Sequence, residues 1–391
     1  MEMMKVTDTI YFDNAATTRV RDEVFEAMTP FLREAYGNAS GVYRIAREAK
    51  NAIEQAREQV AAAIGAKPSE IFFTGSGTEA SNWAIISAAM SRKEKGNHII
   101  TSAIEHHAVL HSCKYLENNG FDVTYLPVDR WGMINLDDLR AAIRPETILV
   151  TIMYANNEIG TVQPVAEIGS LAGNNDIVFH TDAVQAVGHL PVNVVRDCID
   201  MLALSAHKIH GPKGVGALYV RSGVKLPSFI HGGAQEKGRR AGTENVAGIV
   251  ALGAAAQLAT EKMEEEMKEV RRLRDKIIDE ILKTVPLSRL NGHREKRLPG
   301  NVNISFDHVE GESVLLMLDM KGISASSGSA CTSGSLNPSH VLMALGLPHE
   351  KAHGSLRVSV GRYNTEEEAD RLIAEIGPIV KKLRDMSPLS T

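Results

Sequence analysis

The chain of 391 residues has 43% hydrophobic and 23% charged residues and a formal net charge of −5, the balance of a globular protein long enough for one large core and a smaller one. That charge argues against a nucleic-acid-binding surface, and no run approaches the roughly 18 apolar residues of a membrane span. Three cysteines, Cys113, Cys198 and Cys331, stand far apart without CxxC spacing, which excludes a disulfide scaffold and a cysteine-rich zinc site and suits a reducing cytoplasm.

Residues 1–9 are polar, so the sequence displays neither a secretory signal nor an anchor. Ile10 to Thr18 reads as a short strand running into a polar turn. Residues 21–32 place Val24, Met28 and Leu32 on one helical face, 35–41 form a loop, and 46–64 form a long amphipathic helix. From Glu70 onward, short apolar runs alternate with helical stretches. The runs predict strands at 71–74, 98–102, 122–128, 147–153 and 177–181, with two more at 200–205 and 215–220. Such alternation marks an α/β sheet wound with right-handed crossovers, whose ligands sit at the carboxyl ends of the strands.

Near Ala247 the texture changes. An alanine-rich helix over 246–260 leads into a long exposed helix over 261–285. A smaller α+β pattern follows at 301–306, 312–318, 324–325 and 355–360, closed by a helix over 365–386. The expected division is a large domain over residues 17–260 and a small domain made of 1–16 and 261–391.

The chemistry-bearing residues fall where strands end. Asp200 to Leu204 reads as a buried strand, and after it Ser205-Ala206-His207-Lys208 places a lysine at a strand end, where a desolvated amine becomes a nucleophile. Thr74-Gly75-Ser76-Gly77-Thr78 follows a strand and opens a helix, so bare N–H groups with the Ser76 and Thr78 hydroxyls can cradle a phosphate. The same residues also serve as ordinary N-cap and turn chemistry.

His106, His107 and His111 invite a metal reading. No carboxylate-rich or cysteine-rich partner set lies nearby, so no metal is assigned, and His106 is read as an imidazole stacked on a flat ring. Asp182 closes the next strand as either a helix N-cap or the partner of a cation such as a protonated pyridine. It precedes Lys208 by 208 − 182 = 26 residues, room for one helix and one strand. A phosphate cradle, a stacking histidine, an acid for a ring nitrogen and a lysine to hold an aldehyde together fit pyridoxal 5′-phosphate (PLP).

Cys331 lies in the small-residue stretch Ser326-Ser327-Gly328-Ser329-Ala330-Cys331-Thr332-Ser333-Gly334-Ser335, the setting of a reactive thiol rather than a packed one. Arg357, in a strand of small and apolar residues, needs an anion. A substrate carboxylate suits its planar fork, and an internal ion pair is the alternative.

Four segments, Tyr11-Phe12-Asp13-Asn14-Ala15-Ala16-Thr17-Thr18, Asn156-Asn157-Glu158-Ile159-Gly160, Ser205-Ala206-His207-Lys208 and Ser326-Ser327-Gly328-Ser329-Ala330-Cys331, resemble the NifS/IscS cysteine desulfurases of the class V aminotransferases. The resemblance runs from Tyr11 to about Met386. It implies the fold-type I PLP-dependent transferase architecture, with a mixed, mainly parallel seven-stranded sheet in a large domain beside a smaller α+β domain. It also implies a cytoplasmic homodimer that turns L-cysteine into L-alanine, leaves sulfur on an enzyme cysteine as a persulfide, and hands it to an iron–sulfur scaffold protein of the NifU/IscU kind or to another thiolation pathway.

By the same resemblance, Lys208 carries the cofactor, Asp182 pairs with its ring nitrogen, Gln185 reaches its hydroxyl and His106 stacks on the ring. Asn157 touches ring or substrate. Gly77, Thr78, Ser205 and His207 hold the phosphate, joined by Thr243 of the second subunit. Asn38 and Arg357 grip the substrate carboxylate, and Cys331 takes the sulfur. The sequence departs from the family at Tyr43, where a histidine is expected, at Ala39 and Gly41, and in stopping at Thr391 soon after Ser387-Pro388-Leu389, where relatives carry a longer tail that helps dock the scaffold. A selenocysteine lyase or an aminotransferase shares Lys208 and Asp182, and a sulfur carrier without catalysis is the rival from outside the enzymes.

Overall fold

The computed structural model describes residues 9–327 and 338–386. Cys331 and the tail after Met386 lie outside the described residues. After β1 (Ile10–Tyr11) come β2 (Ile71–Thr74), β3 (His98–Ser102), β4 (Asp122–Leu126), β5 (Thr147–Thr151), β6 (Val178–Asp182), β7 (Met201–Ser205) and β8 (Gly216–Val220). These seven make one sheet in the order β2-β8-β7-β6-β5-β3-β4. Neighbours from β7 through β4 pair in parallel, while β8 is antiparallel to both β2 and β7. The expected mixed, mainly parallel sheet is therefore present.

Because β8 reverses between them, β2 and β7 run the same way. The carboxyl ends of β2, β3, β5, β6 and β7 thus share one edge of the sheet. The central strands are Val-, Ile- and Leu-rich because helices cover both faces; β3, β5, β7 and β8 are buried throughout. On one face the helix Gly77–Ser91 buries Ala80, Trp83, Ala84 and Ile85. Elsewhere the helix Arg44–Ile64 packs along Val246–Glu261. A Cβ on Gly253 would stand 2.6 Å from the Cα of Ala56, so glycine permits that close approach.

Several boundaries differ from the sequence expectation for local reasons. The helix over 21–32 is split into Asp22–Met28 and Pro30–Arg33, since Pro30 starts a helix but cannot continue one. β4 and β5 each end two residues early, β4 just before Pro127 and β5 where the chain leaves the sheet for the cavity described below. The expected run at 312–318 is the helix Gly311–Asp319.

Beyond the helices Val246–Glu261 and Met263–Thr284 the chain adds β9 (Ser288–Leu290), β10 (Asn301–Phe306), β11 (Ile323–Ser324) and β12 (Ser355–Ser359), and ends its described part in the helix Glu366–Met386. β12, β10 and β9 form an antiparallel sheet, and β1 pairs in parallel with β11. β9, three residues long, was not foreseen. Phe12 of the N-terminal segment joins Ile277, Ile304, Phe306, Ile323 and Leu372 in a second hydrophobic core separate from that around the large sheet.

An ion pair fastens the sheet edge. Arg57 and Glu236 are both buried and meet in a bidentate contact of 2.9 and 3.0 Å; Glu236 also accepts the Phe73 N–H at 2.9 Å, and Arg57 donates to the Ile71 carbonyl. These bonds hold Glu236 and Lys237 at φ values of 47° and 60°, the left-handed region that such residues rarely adopt. Glu236→Ala leaves the buried Arg57 guanidinium with only the half-exposed Glu54, 3.3 Å from its Nε, and the Ile71 carbonyl, and denaturant titration is expected to register a loss of about 2–4 kcal/mol. A loss within experimental error of zero would show that the pair contributes nothing.

Candidate active site

The loops that leave the shared strand edge converge on a cavity of about 270 Å³. After β2, Ser76 caps the helix Gly77–Ser91 by accepting the Glu79 N–H, which leaves the N–H groups of the first turn, with Gly77 and Thr78, at the cavity wall. A Cβ on Gly77 would lie 2.6 Å from Val184, so glycine is required where this helix meets the loop after β6. Ser205, at the end of β7, and His207 line the same wall. Burial first, and then the charges of Lys208 and Lys213, push the His207 imidazole down to about 4. It is therefore a neutral hydrogen-bonding group that meets the Thr17 hydroxyl at 3.2 Å. An oxyanion fits this end of the cavity.

Asp182 ends β6 and lines the cavity, with one carboxylate oxygen accepting the Val184 N–H at 3.0 Å. Burial raises its pKa, opposed by His106, by that N–H and by Lys208. A cationic partner facing Asp182 would relieve the cost of its burial. Lys208, one strand away, donates from Nζ to the carbonyls of Ala15 and Ala16 at 2.6 and 2.7 Å, and Gln185 Nε2 donates to Ala15 as well. His106 lines the cavity as the N-cap of the helix His107–Glu117. Its Nδ1 accepts the Ala108 N–H at 3.1 Å, so the neutral ring carries its proton on Nε2.

Arg357, on β12, closes the cavity from the smaller sheet and is 2% exposed. Both readings of it meet here. Its Nη2 pairs with Asp13 at 2.8 Å and its Nη1 donates to the Asn157 carbonyl, yet its Nε finds no partner among the described residues. Asn157 lines the cavity alongside. One protomer thus gathers Gly77, Thr78, His106, Asn157, Asp182, Gln185, Ser205, His207, Lys208 and Arg357. It does not gather Asn38, which is exposed and bonded locally to Ser40, or Thr243, which is exposed on the surface. Cys331 lies outside the described residues. Of the other cysteines, Cys113 is buried, with its thiol pushed up to about 12, and Cys198 is exposed just ahead of β7, at the opposite edge of the sheet.

Sequence reasoning missed the Ala15 and Ala16 carbonyls, Met153 and Val184 as wall residues, and Asp13 as the partner of Arg357. An acid just after the buried Phe12 was the one readable signal, at Asp13; main-chain carbonyl acceptors carry no side-chain signature. It also missed two buried acids beside the cavity, Glu105 and Glu158, raised by burial to about 8 and about 7. His107 lies near His111 and His340, with ring centroids 5.2 and 4.9 Å apart. Among the described residues no three His, Cys, Asp or Glu side chains form a metal-ligand set.

The chain resembles known proteins along nearly its whole length. It is 58% identical over 381 residues to the cysteine desulfurase IscS of Methanosarcina thermophila, covering 97% of this chain and 94% of that one. A solved NifS-like protein superposes with a TM-score of 0.88 at 39% identity, covering 97% and 99%. SspA, solved in complex with cysteine, superposes with a TM-score of 0.81 at 42% identity, covering 91% and 100%. The model of the class-V aminotransferases matches residues 10–372, and the chain belongs to that family.

Proposed function

We propose that this protein is a PLP-dependent cysteine desulfurase that converts L-cysteine to L-alanine and collects the sulfur on Cys331 as a persulfide. The observation that carries the reading is Lys208 and Asp182 at neighbouring strand ends, in one cavity with the start of the helix Gly77–Ser91. Support comes from relatives 52–58% identical that bear the cysteine desulfurase name, and from a 42% identical structure that holds cysteine.

The residues present fit the cofactor. The helix start with Thr78, Ser205 and His207 suits a phosphate; Asp182, half-buried and without an ion pair among the described residues, suits a protonated ring nitrogen; Gln185 suits a ring hydroxyl and His106 a ring face. Lys208 Nζ, at the same wall, would hold the aldehyde carbon. When bound, PLP draws electron density from the substrate's carbon skeleton and acidifies its Cα–H bond.

The chain's own groups supply the rest. Arg357, with its unpartnered Nε, orients the substrate carboxylate beside Asn157. Lys208 Nζ, at the same wall, would take the Cα proton. The Cys331 sulfur forms a bond to the substrate sulfur as the substrate's C–S bond breaks. The electron pair passes to carbon, which gains protons and leaves as alanine. Thiol plus cysteine becomes persulfide plus alanine, so no outside oxidant is consumed. Ser326, five residues before Cys331, is hydrogen-bonded through its backbone to Arg357, which roots that stretch at the cavity, whereas neither described cysteine lines it.

The protein works as a homodimer in this reading, in which Asn38 and Thr243 complete the site between copies. The surface around Asn38 supports it, since Tyr36, Val42 and Tyr43 expose 71%, 88% and 52% of their area in one protomer. The acceptor we assign is an iron–sulfur scaffold protein in the cytoplasm. No described helix is long and apolar enough to cross a membrane.

Lys208→Ala is expected to remove the yellow colour of the purified, dialysed protein and to reduce alanine formation to background; retention of the bound absorption band would refute the cofactor assignment. In Cys331→Ala the band should persist while sulfide release from L-cysteine with a reductant falls to the enzyme-free level. Undiminished release would assign the sulfur to another thiol, and selenide release from selenocysteine in place of sulfide would assign a different substrate.

A further inference from the structure

The loop after β5 and the chain just after the Cys331 stretch are tied together by a contact that the reaction itself does not use. Glu158, 6% exposed, accepts the Ser339 hydroxyl at 2.5 Å. Ser339 also caps the helix His340–Ala344, since its Oγ accepts the Leu342 N–H. One residue further on, His340 Nε2 lies 3.0 Å from the Glu105 carbonyl, which belongs to the loop after β3. The loops after β3 and β5, both cavity walls, therefore grip residues 339 and 340 from beneath.

Glu158 is itself held with little freedom. Its N–H donates to Asn156 Oδ1, and its carbonyl accepts from both Asn301 and Asn303 Nδ2, which lie on β10. Burial raises its pKa to about 7, opposed by the Ser339 bond, Arg357 and His106. Such an arrangement is costly unless it fixes something. What it touches is the root of the segment that carries Cys331, eight residues before Ser339.

We propose that Glu158 is a positioning residue, which by holding Ser339 fixes where the Cys331-bearing stretch rejoins the fold and so sets how readily the Cys331 thiol meets the substrate sulfur. The inference rests on the cysteine desulfurase reading above. Glu158 touches neither the cofactor end of the cavity nor the reacting atoms, so its loss should leave cofactor binding and the approach of cysteine intact and slow sulfur transfer alone.

The test is a single-turnover experiment on the PLP-loaded protein. L-cysteine is mixed with wild type, Glu158→Ala and Glu158→Gln. The absorption change reports cysteine at the cofactor, and mass spectrometry of quenched samples reports persulfide on Cys331. Glu158→Ala is expected to give the wild-type absorption change but persulfide about 10²-fold more slowly. Glu158→Gln, which still accepts the Ser339 hydroxyl, should recover most of that rate. Ser339→Ala breaks the same contact from the other side and should slow the transfer as well; it also serves if Glu158→Ala does not fold. Combining the two alanine changes should cost little more than the worse one alone.

Persulfide formation in Glu158→Ala and Ser339→Ala within about twofold of wild type would overturn the inference. So would a loss of the cofactor absorption in Glu158→Gln, which would make the role structural. Wild type that forms no persulfide from L-cysteine would instead overturn the proposed function, so the two failures are distinguishable.

Discussion

A lysine amine can lie at the wall of this cavity because two main-chain carbonyls meet it. The turn that supplies them, Ala15 and Ala16, belongs to the N-terminal segment and not to the large sheet, and the rest of the site depends on where that turn is held. On one side its anchors lie on β12. Asn14 Nδ2 donates to the Ser359 carbonyl, the Ala15 N–H donates to the Ser359 hydroxyl, and Asp13 pairs with Arg357. From the other side, Gln185 reaches Ala15, and the Thr18 N–H donates to the His207 carbonyl. Residues 13–18 thus fasten the smaller sheet to the ends of β6 and β7. The grip on the lysine and the fork of Arg357 are consequently set by one short piece of chain.

That fastening creates an electrostatic problem which the site exploits. Glu105 and Glu158 are buried acids around the cavity and Asp182 a half-buried one on its wall, and desolvation raises all three. Imidazoles face the opposite penalty; buried His180 and half-buried His207 are pushed down to about 3 and about 4 and remain neutral. The acids are not equivalent. Glu105 is satisfied by the Ser102 hydroxyl and the Met153 N–H, and Glu158 by Ser339. Asp182 has a backbone N–H on one oxygen and opens onto the cavity. Asp182 is the acid that faces the cavity and the one a cationic ring would meet, whereas Glu105 and Glu158 face the loops and brace them.

Much of this was readable in the order of residues, and the reason is periodicity. Seven apolar runs separated by helical stretches could form little else than a wound sheet. Once its strand ends were located, Thr78, His106, Asp182 and Lys208 fell into a single neighbourhood, because such sheets bring their carboxyl ends to one edge. The small sheet was less legible: β9 has three residues, too few for an alternating pattern, and the helix Gly311–Asp319 is as apolar as a strand would be. Arg357 shows the limit at the site. A buried arginine announces that it needs an anion, but not whether Asp13, 344 residues away in sequence, already provides one. Long-range pairing of that kind leaves no local trace.

The choice of thiol follows from the same geometry. A thiol is useful as a sulfur acceptor when it can ionise near neutral pH and reach the substrate. Cys113 fails the first condition, since burial, and then the charges of Glu105 and Glu117, push it up to about 12. Cys198 fails the second, standing at the edge of the sheet from which β7 begins, a full strand length from the cavity edge where β7 ends. Cys331 is held to neither limit by its neighbours in sequence: Ser326 to Ser335 includes no large apolar side chain that could bury a thiol. The described residues at the two ends of that stretch are fixed, Ser326 to Arg357 and Ser339 to Glu158. Because both described flanks are bonded to residues of the cavity loops, Arg357 and Glu158, the proposed acceptor is the one cysteine whose chain neighbours on either side are tied to the site.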